Sequence, residues 1–140
     1  MSRCLFPHTS GSVHEARRFV AQALARTAPE AAETARLLVS ELATNALVHS
    51  SGPFEVLAVY SPKAHVVRVA VSDASDGVPR VEHPGPSSEH GRGLQLVAAF
   101  SDRWGVDRRR RRPGKTVWFE LGAHPASQGE AGRGRLARST

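Results

Sequence analysis

In the first third of the chain, apolar residues recur with the period of a helix. Between residues 12 and 26, and again between residues 29 and 49, they return every three or four positions, which predicts two amphipathic helices. The apolar stripe of the first consists of Val13, Ala16, Val20 and Leu24, and that of the second of Ala35, Leu38, Leu42 and Ala46. The turn-forming sequence at residues 50–53 should end the second helix.

The rest of the chain changes to the period of a strand, with segments rich in β-branched and aromatic residues. The predicted strands are residues 54–61, 65–73, 103–108 and 115–121. Residues 74–90, rich in Ser, Pro and Gly, are predicted to form a loop of a length that often has a binding role. A short helix at residues 93–100 should begin at two closely spaced glycines.

The order helix, helix, strand, strand, loop, helix, strand, strand indicates one α+β domain. Adjacent strands joined by short turns pair antiparallel, and the helices then gather on one face of the sheet. We therefore expect a two-layer sandwich that occupies residues 1–122. Residues 123–140 contain mainly Gly, Ala, Ser and Arg without periodicity, and we expect this basic tail to be disordered.

Composition excludes several classes of protein. The 140 residues fit one domain, and they contain neither an apolar run long enough for a membrane span nor an N-terminal signal sequence. Cys4 is the only cysteine and cannot form an internal disulfide. These features predict a cytoplasmic protein.

The net charge of +6 is concentrated in two segments. Together, the arginines at residues 108–112 and the basic tail carry more positive charge than the net charge of the whole chain, so the rest of the chain is about neutral. Arginine runs can bind nucleic-acid phosphates. The neutral body and the lack of interleaved aromatic residues argue against direct nucleic-acid binding and favour a solvated loop.

Glu41 and Asn45 are four residues apart on the second predicted helix, which places both side chains on one face. An asparagine oxygen is a suitable ligand for Mg²⁺, and a glutamate can orient or deprotonate a hydroxyl group. Solvent-exposed pairs show the same spacing, so both interpretations stay open at this point.

Asp73 ends a predicted strand whose alternate residues, Val67, Val69 and Val71, face the core. A carboxylate on that face needs a hydrogen-bond donor, because an unpaired buried charge is costly. An adenine amino group would supply one. The alternative is an aspartate that caps a turn, since residues 73–77 are also typical turn sequence.

Gly91 and Gly93 flank Arg92 at the predicted start of the third helix. Glycines let backbone N–H groups approach phosphate oxygens, and a helix N-terminus favours negative charge. Arg92 could add a charged hydrogen bond. The Gly-x-Gly pattern alone is weak, because it is not the P-loop sequence and does not directly follow a strand.

Together these groups resemble the motifs of bacterial anti-sigma factor serine kinases, which are members of the GHKL, or histidine-kinase-like, ATPase superfamily. The motifs are ELATNALVH at residues 41–49, DASDG at residues 73–77 and GRGLQLV at residues 91–97. Two further similar segments are SDRWG at residues 101–105 and GKTVWF at residues 114–119. The resemblance covers residues 10–121. It implies a Bergerat-type two-layer α/β sandwich, with a mixed, mostly antiparallel sheet and helices on one face.

The resemblance also implies an ATP-binding site that uses Mg²⁺. Asn45 would coordinate the metal, Glu41 would be the catalytic base for a substrate hydroxyl, and Asp73 would bind the adenine amine. The other nucleotide-binding residues implied are Gly77, Gly91, Arg92, Gly93, Leu94 and Thr116, with Gly91 and Gly93 contacting the phosphates. Thr116 would lie near the contact between adenine and Asp73.

The function that the resemblance implies is phosphorylation of a serine in an anti-sigma factor antagonist protein, with sequestration of a sigma factor by the same domain. A homodimer is a further expectation from the family. The chain departs from the family at Ser75, where the second motif usually has glycine, and in a short loop before the third motif. These departures leave open a non-catalytic module that sequesters a partner and has a degenerate or structural nucleotide site.

Overall fold

A computed structural model describes residues 1–74, 89–108 and 113–123, without the side chains of residues 89–92. Several predictions therefore lie outside the described residues. They are the roles of Ser75 and Gly77, the side-chain contacts of Arg92, the short loop before the third motif, the loop at residues 109–112 and the disordered tail.

The described residues form five strands and three helices. The strands are β1 (Ser2–Phe6), β2 (Phe54–Ser61), β3 (Val66–Asp73), β4 (Arg103–Arg108) and β5 (Lys115–Gly122). The helices are α1 (Gly11–Leu24), α2 (Pro29–His49) and α3 (Glu89–Phe100). No helix among these residues is long and apolar enough to cross a membrane.

The strands form one open sheet in the order β1-β2-β3-β5-β4, with the helices packed on one face. This confirms the two-layer α+β sandwich. Every strand pair between described residues is antiparallel, so the mixed character expected of the sheet is not found in this part of the chain.

Helix α2 has both of the ends that its sequence predicts. Pro29 lies in the first turn, where its missing N–H leaves no intrahelical hydrogen bond unmade. The negative charge of Glu30 in the same turn interacts favourably with the positive end of the helix dipole. The inward face of α2 is buried over most of its length, so the helix is fixed against the sheet, and the positions of Glu41 and Asn45 are fixed with it.

Strand β1 was not predicted from the sequence. It has five residues with alternating exposure, and only Phe6 at its end is buried, so its local apolar signal is weak. Its conformation depends instead on pairing with β2, where Phe6 lies opposite Phe54 and the two rings stack at a centroid distance of 5.5 Å. A tertiary pairing has decided the conformation of this segment.

Helix α3 begins at Glu89, so the predicted start at residue 93 is wrong by four residues. Gly91 is the third residue of the helix and Gly93 the fifth, so both lie within the helix and neither is its first residue. A glycine inside a helix lowers its stability by about 1 kcal/mol relative to alanine. For this reason the two glycines, considered from the sequence alone, indicate the start of the helix. Packing of α3 against α2 overrides that local preference.

The core lies between the sheet and the helices. The inward faces of β3 and β5 supply Val67, Val69, Val71, Val117 and Phe119, and helices α1 and α2 supply Val20, Leu24, Leu38 and Leu42. Each such side chain stabilises the fold by roughly 1.5–3 kcal/mol relative to exposure. The alternation that buries these residues also turns the first residue of β5 and the last residue of β3 inward.

The outward face of the sheet carries Trp118, which is 7% exposed and therefore packed against its neighbours. Its ring lies over Gly105, where an added Cβ would stand 2.8 Å from Cζ2. The Arg68 guanidinium lies 4.0 Å from the ring centroid. Glu120 pairs with Arg68 at 3.0 Å and with Arg103 at 3.4 Å.

Candidate functional site

Asn45 lies on the buried side of α2 and is 3% exposed. Its side-chain Nδ2 has no hydrogen-bond partner among the described residues. A buried polar group without a partner costs about 1–3 kcal/mol. A ligand that carries acceptor oxygens would satisfy this amide, and the Oδ1 of the same side chain is an oxygen of the kind that Mg²⁺ prefers. The side chain therefore fits a site for a metal-bound phosphate.

Glu41 lies one turn before Asn45 on the same face of α2 and is partly buried. Helix α3 approaches it closely, because a Cβ added at Gly93 would stand 2.6 Å from Glu41 Oε1 and 3.5 Å from Glu41 Cβ. The glycine thus lets the two helices meet at the glutamate. The structure therefore places Gly93 beside Glu41, which lies one helical turn from Asn45.

Asp73 lies at the end of β3 with its side chain inward and 3% exposed. Lys115, directly opposite in the β3–β5 register, donates hydrogen bonds from Nζ to both carboxylate oxygens, at 3.1 Å to Oδ1 and 3.0 Å to Oδ2. The lysine side chain is itself 1% exposed. Asp73 is therefore an inward, paired carboxylate, and its prediction as an inward residue is confirmed.

Sequence reasoning missed Lys115, although the sequence contains a signal for it. Val117, Phe119 and Leu121 all point inward along β5, and the period of two places Lys115 on the same face. The identity of its partner required the register between β3 and β5, which the sequence alone did not supply.

Thr116 lies on the opposite face of the sheet from Asp73. Its hydroxyl forms a hydrogen bond of 2.7 Å with the hydroxyl of Ser72, the residue that faces it in the register. The prediction puts Thr116 near the contact between adenine and Asp73, whereas its side chain faces the other side of the sheet, because neighbouring residues of a strand face opposite sides. Lys115 occupies that place.

Leu94 is 1% exposed and belongs to the hydrophobic core, so its side chain packs beneath the site. Gly91 and Arg92 lie in the first turns of α3, before Gly93. Helix α3 packs against α2, but the described residues do not test the predicted contacts of Gly91 and Arg92 with phosphate.

Among the described side chains, the residues predicted to act on the nucleotide or the substrate include two carboxylates, Glu41 and Asp73, and Asp73 is paired with the ammonium group of Lys115. A polyphosphate that approaches Glu41 would need an accompanying cation, because like charges repel. No group of three or more His, Cys, Asp or Glu side chains in the described part of the chain could hold a metal without help from a ligand. An ion held jointly by Asn45 and phosphate oxygens fits this arrangement better than a metal site made only of protein ligands.

Comparison with known proteins gives one family. The sequence model of the histidine kinase-like ATPase domain matches residues 6–121. No curated protein matches the chain. Among solved structures, the chain is similar to the histidine kinase domain of the blue-light activated histidine kinase from Erythrobacter litoralis EL346, with 21% sequence identity and a TM-score of 0.42. The match covers 84% of this chain and 61% of that chain, so it spans less than two thirds of that structure.

Proposed function

Since the chain belongs to the histidine kinase-like ATPase domain family, we propose that it binds ATP with Mg²⁺ and phosphorylates a serine of an anti-sigma factor antagonist protein. The same domain sequesters a sigma factor, and the protein works in the cytoplasm. Pairing of two copies is part of this proposal. The kinase and anti-sigma roles are drawn from the motifs at residues 41–49, 73–77 and 91–97.

The buried amide of Asn45 carries the nucleotide part of the proposal. It is 3% exposed, has an Nδ2 without a partner among the described residues, and lies one helical turn from a carboxylate. Buried polar groups without partners are uncommon in folded proteins, and a bound ion or ligand is one explanation for such a group. Asn45 Oδ1 would hold the ion, and Mg²⁺, when bound, neutralises phosphate charge.

Glu41 is the residue that acts on the substrate hydroxyl. Its carboxylate takes the proton of the serine hydroxyl as the serine oxygen bonds to the γ-phosphorus of ATP. The bond from that phosphorus to the bridging oxygen of ADP breaks, and the electron pair leaves with ADP. Gly93 keeps α3 close against Glu41, which limits the positions open to the carboxylate.

A second candidate function is a module that sequesters a protein partner without catalysis. The ion pair between Lys115 and Asp73 favours it, because it satisfies the Asp73 carboxylate with no nucleotide bound. In this case ATP would be structural or would not bind.

Calorimetric titration of the purified chain with ATP, with and without Mg²⁺, tests the nucleotide site. We expect micromolar binding that requires Mg²⁺ and is weakened by Asn45→Ala and by Asp73→Asn. Thr44→Ala is the matched control, because Thr44 is exposed on the same turn of α2 and bonds only its own helix, to the Ser40 carbonyl at 2.8 Å.

Transfer of radiolabelled γ-phosphate to purified antagonist proteins then tests catalysis. We expect label on wild-type antagonist and none when its acceptor serine is changed to alanine. Absence of ATP binding up to millimolar concentration would reject the kinase. Binding without transfer to any antagonist would favour the sequestering module.

A further inference from the structure

Lys115 is a buried lysine that the proposed phosphoryl transfer does not use. It is 1% exposed, and lysine is almost never fully buried without a partner. A gain in stability from the ion pair with Asp73 does not explain why a lysine is buried here. Apolar residues of similar volume stabilise a core as well as a buried ion pair or better. The position therefore calls for a role in recognition.

The ammonium group of Lys115 has a donor to spare. An ammonium carries three N–H donors, and its bonds to the two oxygens of Asp73 use two of them. Within the part of the chain that the structure describes, Nζ makes no other hydrogen bond. A carboxylate accepts about four hydrogen bonds in all, so the ion pair with Lys115 does not by itself prevent Asp73 from accepting one more.

We propose that Lys115 is a specificity-determining residue of the base pocket, whose Nζ donates a hydrogen bond to N1 of adenine while Asp73 accepts one from the 6-amino group. This inference rests on the proposed binding of ATP. Lys115 and Asp73 are opposite each other in the register of β5 and β3, so a donor and an acceptor lie side by side on the inward face of the sheet.

The Watson–Crick edge of adenine presents the complementary pair, an amino donor next to a ring-nitrogen acceptor. A carboxylate alone would recognise only the amino group. Asp73 and Lys115 together recognise two adjacent atoms of the base. Such a site is selective because the wrong base would leave one of these buried polar groups unpaired.

The test is calorimetric titration of the full chain, in Mg²⁺, with ATP, 1-deaza-ATP and 7-deaza-ATP. The 1-deaza analogue lacks the acceptor at N1, and the 7-deaza analogue loses a ring nitrogen elsewhere and is the matched ligand control. We expect wild-type protein to bind 1-deaza-ATP about tenfold more weakly than ATP, the effect of one hydrogen bond from a charged donor. It should bind 7-deaza-ATP as it binds ATP.

Lys115→Met should remove the difference between ATP and 1-deaza-ATP, because methionine fills similar space and has no donor. Lys63→Met, in the exposed turn after β2, should keep the difference and controls for loss of a positive charge. If Lys115→Met does not fold, the comparison of the two analogues on wild-type protein decides the matter alone.

Equal wild-type affinity for ATP and 1-deaza-ATP would overturn the role of Lys115 and leave the proposed ATP binding intact. A Lys115→Met protein that still discriminates between the two ligands would overturn it as well. Failure of wild-type protein to bind ATP at all would instead reject the proposed function on which the inference rests.

Discussion

Gly93 lies against Glu41, since a Cβ added at position 93 would stand 2.6 Å from Oε1 of the glutamate. The glycine belongs to a motif that suggests phosphate binding, yet its visible contact is with the proposed base on the neighbouring helix. The close approach of α3 therefore limits where the Glu41 carboxylate can lie. Any larger residue at position 93 must displace that carboxylate.

Gly93→Ala should leave the protein folded and reduce phosphoryl transfer. Alanine is the better helix former by about 0.5–1 kcal/mol, and the atom it meets is the far end of a flexible side chain. A displaced base lowers the rate of transfer by roughly ten- to a hundredfold. Thermal unfolding and the transfer assay measure the two effects.

Gly11→Ala is the control for Gly93→Ala, because Gly11 also lies in a helix and a Cβ there meets nothing within 4 Å. It should leave transfer unchanged. A Gly93→Ala protein with wild-type transfer would show that the glutamate does not act from the position seen here.

Asn45→Ala should cost little stability in the absence of nucleotide, although the residue is buried. Removal of an amide with an unsatisfied Nδ2 relieves a penalty of about 1–3 kcal/mol, which offsets the lost packing. Leu42→Ala, at the neighbouring core position, should cost about 2–5 kcal/mol. Urea unfolding of both variants makes the comparison.

Addition of ATP and Mg²⁺ should then stabilise the wild-type protein and not Asn45→Ala, because a ligand that binds only the folded state raises its stability. If Asn45→Ala is as unstable as Leu42→Ala without ligand, the amide serves packing and not a ligand.

Lys115→Met should lower the free energy of unfolding by about 3–5 kcal/mol, because it leaves the Asp73 carboxylate buried without its partner. Asp73→Leu combined with Lys115→Met should recover most of that loss. Since both side chains are shielded from solvent, the coupling should persist at high salt. Urea unfolding of the single and double variants at two salt concentrations provides the test, and additive effects would contradict the pairing.

Gly105→Ala should destabilise the fold by about 1–3 kcal/mol, since the new methyl group would collide with the Trp118 ring. In a Trp118→Phe background the cost should fall, because phenylalanine lacks the indole atoms nearest to position 105. Gly52→Ala, where a Cβ meets nothing within 4 Å, is the control. Thermal unfolding of the wild-type protein, the two single variants, the double variant and the control gives the result, and an equal cost in both backgrounds would contradict it.

The sequence predicted those elements whose signal is local. Helix α2 combines a strong apolar stripe with Pro29 and a turn sequence at its ends, and β3 has an unbroken alternation that turns Asp73 inward. Strand β1 could not be predicted, because its five residues acquire their conformation from β2. The start of α3 at Glu89 could not be predicted, because two glycines disfavour a helix there locally and only packing against α2 outweighs their effect.

The candidate site was predicted unevenly for the same reason. Glu41 and Asn45 share a face because of helix geometry alone. Thr116 was given its role by resemblance, and the alternation of β5 puts it on the other side of the sheet from Asp73. That alternation also turns Lys115 inward, but its pairing with Asp73 depends on a register between distant strands.

Asp73 ends β3 and Lys115 begins β5, 42 positions later along the chain. Helix α3 and strand β4 therefore lie in one chain segment, and the ion pair joins the two ends of that segment. Such a closure carries an entropic cost that depends on chain length, and contacts between distant residues form late in folding. We expect the β2–β3 hairpin to form first and β5 to join it afterwards. In native-state hydrogen exchange, α3 and β4 should then open together as one unit whenever β5 separates from β3.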